Sequence, residues 1–360
     1  MSHLVFLVHG MGIHETGWES QYIDALDAAY EQYELLSQKP LRERFTFVPL
    51  SYDEIFKELV SNWATNAEFV DRAATEAGVS KTQLTSWLKG ADVTDANFKW
   101  THAADVLMYK AFSLVRERVC QHVGNQIVQA LAKQIQDEGR SLWSVVAHSL
   151  GTAVIHDTLA RLWDSQSTAP GHVAFSAQNE QAQVIAMVAN VSRLLETKTA
   201  NEPYDVFKTA VAPGRMAQAG RGCLYYFNAR HRLDPFTIPK MFSPQMWPDE
   251  AALLASPPRY AHVEVDHIHM WNVHDFGHYM KNPRVHVPLL RRLVSSLAIT
   301  DDEYTMALAK FRTFGSLQDD AAIRIRQKLE DATESQADDW LVLGRIWQAF
   351  TGKGQSGGFP

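Results

Sequence analysis

The sequence predicts an α/β fold with a mostly parallel central sheet, and three observations carry that expectation. Residues 4–8 are an unbroken apolar run of strand length, and Ser144-Val145-Val146-Ala147 reads as a short buried strand, the pattern of strands covered on both faces. Between Ala104 and Ile135, apolar residues recur at helical spacing, through Leu107, Met108, Ala111, Phe112, Val115, Val119, Val123, Ile127 and Leu131. A helix leading from one buried strand into the next is the crossover that parallel pairing requires. Finally, residues 143–151 read as strand, sharp turn and helix, with Ser149 at the turn.

Bulk properties fit this fold. The chain has 360 residues, 46% of them hydrophobic and 21% charged, enough for one large domain with a sizeable core. We assign residues 1–300 to that domain, 301–350 to appended helices and 351–360 to a Gly-rich tail. A net charge of −7 without any basic run argues against a nucleic-acid partner. No stretch reaches the roughly 18 uncharged apolar residues of a membrane span. The first ten residues lack a basic lead and read as a strand, not a signal peptide. Cys120 and Cys223 are too few and too far apart for a disulfide framework, and read as buried thiols in a reducing, cytoplasmic setting. Oligomeric state is not legible.

Taken in order, the first strand (4–8) runs into His9, Gly10, Met11 and Gly12. Residues 17–36 read as a helix with Tyr22, Ala25, Leu26, Ala29 and Tyr33 on one face. A second strand follows at 45–52, with Pro49 marking its end or a sheet edge. Residues 53–100, bearing Trp63, Trp87 and Trp100, suit a helical cap over a cleft. The long helix (101–137) carries Gly124 as a candidate kink. After the serine turn and its helix (151–162), residues 184–191 are a strand or a short helix, which periodicity alone does not decide. Residues 223–228 form a strand leading to Asp234, and residues 235–258, with six prolines, could wall an acyl pocket. The alternation over 261–273 marks the last strand, and a helix follows at 288–297.

The chemistry gathers at strand ends. Ala147-His148-Ser149-Leu150-Gly151 is an A-x-S-x-G turn, close to the G-x-S-x-G nucleophile elbow. A serine there needs small neighbours two residues away on either side, and Ala147 and Gly151 supply them. The helix behind it favours developing negative charge. His9-Gly10 after an early strand can aim the Met11 N–H into the cleft, as one oxyanion donor beside the N–H of Leu150. Asp234, in a loop after a late strand, is the candidate acid. His274, after the final strand, is the candidate base, with His278 the alternative. The order Ser149, Asp234, His274 distinguishes one class of serine hydrolase from others. His267 and His269 could place two metal ligands on one strand face, but no cysteine pair or H-E-x-x-H accompanies them, and we expect no metal.

On these residues the chain resembles the α/β-hydrolase superfamily over about residues 1–297. It looks most like the lipase-like group that includes inositol deacylases and bacterial esterases. H-G-M-G at 9–12, A-H-S-L-G-T at 147–152, R-L-D-P-F at 232–236, H-D-F-G-H-Y at 274–279 and N-P at 282–283 carry the likeness. The resemblance implies a serine esterase, lipase or thioesterase without a cofactor, acting on a small-molecule or lipid-like acyl ester. It also implies a sheet of about six strands, because the chain starts at what would be the third strand of the full fold. A non-catalytic scaffold of the same fold and an acyltransferase are the alternatives.

Overall fold

The computed structural model describes residues 2–10, 14–63, 109, 113–163, 180–193, 195, 211–214, 222–234, 236–237, 241–242, 259–267 and 272–311. Its elements are β1 (His3–Val8), α1 (Glu19–Tyr30), α2 (Glu34–Ser37), α3 (Leu41–Arg44), β2 (Phe45–Leu50), α4 (Asp53–Trp63), α5 (Ser113–Glu138), β3 (Trp143–His148), α6 (Leu150–Trp163), β4 (Ala182–Val188), β5 (Cys223–His231), β6 (Tyr260–Val265), α7 (Phe276–Lys281), α8 (Pro283–Leu293) and α9 (Asp301–Lys310).

The strands form one open, all-parallel sheet in the order β2-β1-β3-β4-β5-β6. This is an α/β fold, as the buried apolar runs predict. Burial follows position in the sheet. Central β3 is buried at every residue, whereas edge strands β2 and β6 are buried mainly at their ends. Pro49 sits on edge strand β2, where a missing N–H costs no interior ladder bond.

Alternate side chains of each strand point to opposite faces, and each face meets its own helices. Leu4, Phe6, Val8, Val145 and Ala147 pack with Val119, Val123, Ile127 and Leu131 of α5 and Val154 and Ile155 of α6. Val5, Leu7, Val146, Ala186 and Val188 pack with Leu26 of α1, Tyr279 of α7 and Leu289 and Leu290 of α8. Val184–Val191, open between strand and helix in sequence, is strand through Val188.

Four elements depart from the sequence reading. The helix expected over 17–36 is two helices. Tyr33 is extended (φ −116°, ψ 130°) where α2 starts, and its hydroxyl lies 2.6 Å from His286 Nε2 of α8. That tertiary contact interrupts a continuous amphipathic pattern. The last strand ends at Val265, because its partner β5 ends at His231 and the chain turns at Arg232. The helix expected from Pro288 starts five residues earlier. Asn282 caps it by accepting the Arg284 N–H, Pro283 occupies the first turn, and Pro288 falls inside. Helix α5 runs through Gly124, where a Cβ would stand 3.5 Å from the Leu162 side chain of α6. The helix continues through the glycine, and a methyl there would make only ordinary contact with α6.

The 53–100 cap is described only through α4, and the rest lies outside the described residues. So do most of 235–258 and, beyond α9, the appended segment from 312 onward. Cys120 and Cys223 are both buried, and neither forms a disulfide. Among the described residues, no helix is long and apolar enough to cross a membrane.

Candidate active site

Strand order reverses at β1, whose chain successor β2 lies on one side and β3 on the other. In an open α/β sheet, the crevice outside the carboxyl ends of the strands at such a reversal is where ligands bind. His9 and Gly10 leave β1 there, and Ser149 leaves β3.

Ser149 has φ 53°, a left-handed conformation that an L-residue adopts at a cost of about 1–2 kcal/mol. Its surroundings hold it there. The Ser149 N–H donates to Val188 O (3.1 Å), and the Ser149 carbonyl accepts from the Thr152 N–H (2.9 Å) and hydroxyl (2.6 Å). The Thr152 oxygen in turn accepts the Val191 N–H at 3.0 Å, tying the turn to the segment after β4. Helix α6 begins at Leu150, whose N–H has no intrahelical acceptor and belongs to the positive end of the helix dipole.

Two glycines make the close approaches possible. A Cβ on Gly151 would stand 2.4 Å from His9 O and 2.8 Å from Val8 O, so only glycine lets α6 start against the end of β1. A Cβ on Gly10 would stand 2.9 Å from Ser149 Cβ and 3.4 Å from its Oγ. Gly10 therefore packs directly against the serine. Met11 itself, the other expected donor, lies outside the described residues.

Ser149, His274 and Asp234 come together. The Ser149 hydroxyl donates to His274 Nε2 at 2.7 Å, and His274 Nδ1–H donates to Asp234 Oδ2 at 2.8 Å. Ser149 and Asp234 are buried, while the His274 side chain keeps 13% of its exposure. His278, the alternative base, is elsewhere: it is buried in α7 with its ring edge-on to His231 (5.2 Å).

Asp234 is well supported. Its Oδ1 accepts the Phe236 N–H (3.0 Å), and its Oδ2 also accepts the Tyr279 hydroxyl (3.1 Å). The Tyr279 oxygen accepts the His231 N–H at 2.8 Å. Burial alone would push the Asp234 carboxyl up, but His274 and these donors hold it below the ordinary carboxylate value. The acid is thus a carboxylate at neutral pH.

The loop carrying His274 is fixed from below. His148 Nε2–H donates to the His274 carbonyl at 2.7 Å, which settles the tautomer, since a carbonyl only accepts. His148 Nδ1 then accepts the Tyr22 hydroxyl at 3.0 Å. Burial pushes the His148 pKa down to about 3, so the ring stays neutral. Asn272 Oδ1 accepts the His274 N–H (3.2 Å), and the Phe236 ring lies 4.7 Å from the imidazole.

His9 is fully buried beside the site. Its Nδ1–H donates to Gly10 O (2.9 Å), and its ring stacks on Tyr52 at 4.2 Å. The Tyr52 hydroxyl donates to the His9 and Gly10 carbonyls at 2.8 and 2.9 Å, fixing the start of the turn.

Sequence reasoning missed Tyr22, Tyr52, Thr152 and Tyr279. Only Thr152 and Tyr279 stood inside quoted motifs, and no local spacing reveals where a phenol reaches across the fold. Of the two histidines weighed as metal ligands, His267 Nδ1 lies 2.9 Å from Asp266 Oδ1, and His269 lies outside the described residues.

Comparison with protein-family models and with curated protein sequences finds no match.

Proposed function

We propose that this chain is a serine hydrolase of the α/β-hydrolase type that cleaves a carboxylic ester, of a small-molecule or lipid-like acyl substrate, through an acyl-enzyme on Ser149. The observation that carries this reading is the unbroken relay from Ser149 Oγ to His274 Nε2 (2.7 Å) and from His274 Nδ1 to Asp234 (2.8 Å). The relay hangs on a left-handed serine at the head of a helix.

Ser149 Oγ attacks the ester carbonyl while its proton passes to His274 Nε2. A C–O bond forms, and the carbonyl electron pair moves onto oxygen. The Leu150 N–H, with the Met11 N–H, receives that oxyanion; one such donor is typically worth about 2.7–4 kcal/mol. The intermediate collapses, His274 returns the proton to the departing alkoxide, and the alcohol leaves. Water, deprotonated by His274, then attacks the acyl-enzyme and regenerates Ser149. Throughout, Asp234 remains a carboxylate, holds the imidazole in its productive tautomer and stabilises the imidazolium.

The test is covalent labelling of the purified chain with a fluorophosphonate, followed by turnover of p-nitrophenyl esters. Wild type should label and turn over. Ser149→Ala should do neither, with kcat lower by about 10⁴- to 10⁶-fold. Labelling that survives in Ser149→Ala would remove Ser149 as the nucleophile.

A further inference from the structure

We propose that His9, His14 and Asp53 form a zinc-class divalent metal site, with His9 Nε2, His14 Nδ1 and Asp53 Oδ1 as its protein ligands. Asp53 Oδ1 lies 3.5 Å from His9 Nε2 and 3.7 Å from His14 Nδ1, and all three ligand atoms lie within 4.8 Å of one another. Zinc bonds to nitrogen and oxygen of about 2.0–2.2 Å in a tetrahedron put neighbouring ligand atoms about 3.3–3.6 Å apart. The two measured edges are already close to that figure.

The proton positions strengthen the case. His9 Nδ1 is 2.9 Å from the Gly10 carbonyl, which only accepts, so the neutral ring carries its hydrogen there. Nε2 therefore points a lone pair at the carboxylate of Asp53, itself an acceptor. Two acceptors face each other at 3.5 Å, with side-chain exposures of 0% and 4%. His9 Nε2 and His14 Nδ1 are both buried atoms without a hydrogen-bond partner. A cation would satisfy both orphaned nitrogens at once, with Asp53 Oδ1 as its anionic ligand.

The other polar atoms of His9 and Asp53 are tied down, as ligands of a built site are. Asp53 Oδ2 accepts the His14 backbone N–H at 3.0 Å. Tyr52 stacks on the His9 ring, and Trp18 meets it edge-on at 4.8 Å. The His14 side chain is 22% exposed, which leaves a route for the ion and room for water as fourth ligand. Two imidazoles and a carboxylate suit zinc better than magnesium or calcium, which prefer oxygen alone.

Gly10, which packs directly against Ser149, follows His9 in sequence. One ion would tie His14 and Asp53 to the end of β1 beside it. Metal binding itself does not depend on hydrolase chemistry, so the test uses the Ser149→Ala chain.

Metal-stripped full-length Ser149→Ala protein is titrated with Zn²⁺ by calorimetry, and metal content is measured after dialysis. The same is done with His14→Gln and Asp53→Asn added singly. One zinc per chain is expected, with a melting temperature that rises with zinc concentration. Either ligand substitution should weaken binding by about 100-fold or more, beyond the 10- to 100-fold typical of losing an outer-shell partner. No zinc uptake by the folded chain overturns the proposal, as does uptake of unchanged affinity in both variants. Partly exposed His14 tolerates exchange best, so His14→Gln decides if Asp53→Asn fails to fold. Co²⁺ in place of zinc should give a tetrahedral visible spectrum that His14→Gln abolishes, and a spectrum indifferent to that change also counts against the site.

Discussion

The carboxylate of Asp234 receives hydrogen bonds from His274, Tyr279 and the Phe236 N–H, and two substitutions test this arrangement. Asp234→Asn keeps the shape but cannot hold His274 in the right tautomer. Its kcat on a p-nitrophenyl ester should fall on the order of 10⁴-fold, with far-ultraviolet circular dichroism unchanged. A loss of less than tenfold would remove Asp234 from the proposed triad. Tyr279→Phe should act differently. It leaves the buried His231 N–H without its 2.8 Å acceptor, a penalty of about 1–3 kcal/mol readable in urea denaturation, with a smaller kcat loss than Asp234→Asn. Ser149, Asp234 and His274 were legible in the sequence because each follows a recognisable strand and their order is distinctive. Tyr279 was not, because its hydroxyl reaches β5 and Asp234 only once α7 has docked. Asp53 and His14 were hidden for the same reason, 39 residues apart and joined by folding alone.

At the scale of elements, the elbow depends on how closely α6 can begin against β1. Gly151→Ala places a methyl 2.4 Å from a backbone carbonyl, which cannot swing aside. We expect a loss of about 1–3 kcal/mol or more in stability, and loss of fluorophosphonate labelling as the turn is displaced. Gly124→Ala is the contrasting case. Its methyl would meet only the Leu162 and Thr158 side chains, at 3.5 and 3.6 Å, in mid-helix. Alanine there should be neutral or stabilising by up to about 1 kcal/mol. A shared denaturation midpoint for the two variants would contradict this account of both glycines. Strands were legible in the sequence because a parallel strand buried on both faces leaves a continuous apolar run. Helix boundaries were less so: the break before Tyr33 comes from its bond to His286, and the start at Pro283 from the Asn282 cap. Neither alters the hydrophobic period.

Over the whole molecule, buried neutral histidines set the response to acid. Burial lowers the pKa of His148 to about 3 and that of His286 to about 4, against 6.5 in the unfolded chain. Between about pH 6.5 and about pH 4 the unfolded chain binds protons that the folded chain refuses, so stability falls as pH falls through that window. Asp234 adds a second loss at lower pH. Its carboxyl is held below the ordinary value, so its contribution is complete above about pH 4 and disappears as pH drops through its folded pKa. Melting temperatures taken at constant ionic strength should therefore decline steadily from about pH 7 to about pH 4. A flat or rising profile would show that these rings are protonated in the fold.

The bond between Ser149 and His274 spans 125 residues of sequence, and it carries a consequence for the growing chain. During synthesis the serine emerges from the ribosome well before its base. At the usual elongation rate of about 5–20 residues per second, the interval is about 6–25 seconds. In that interval strands β1 to β3 can pair and the elbow can form, yet the hydroxyl has nothing to take its proton. The contact between Ser149 and His274 forms only when β6 has docked on β5 and His274 has been brought over the serine. If the proposed hydrolase reading holds, the linear order of its residues keeps a nascent chain inert towards the acyl compounds around it.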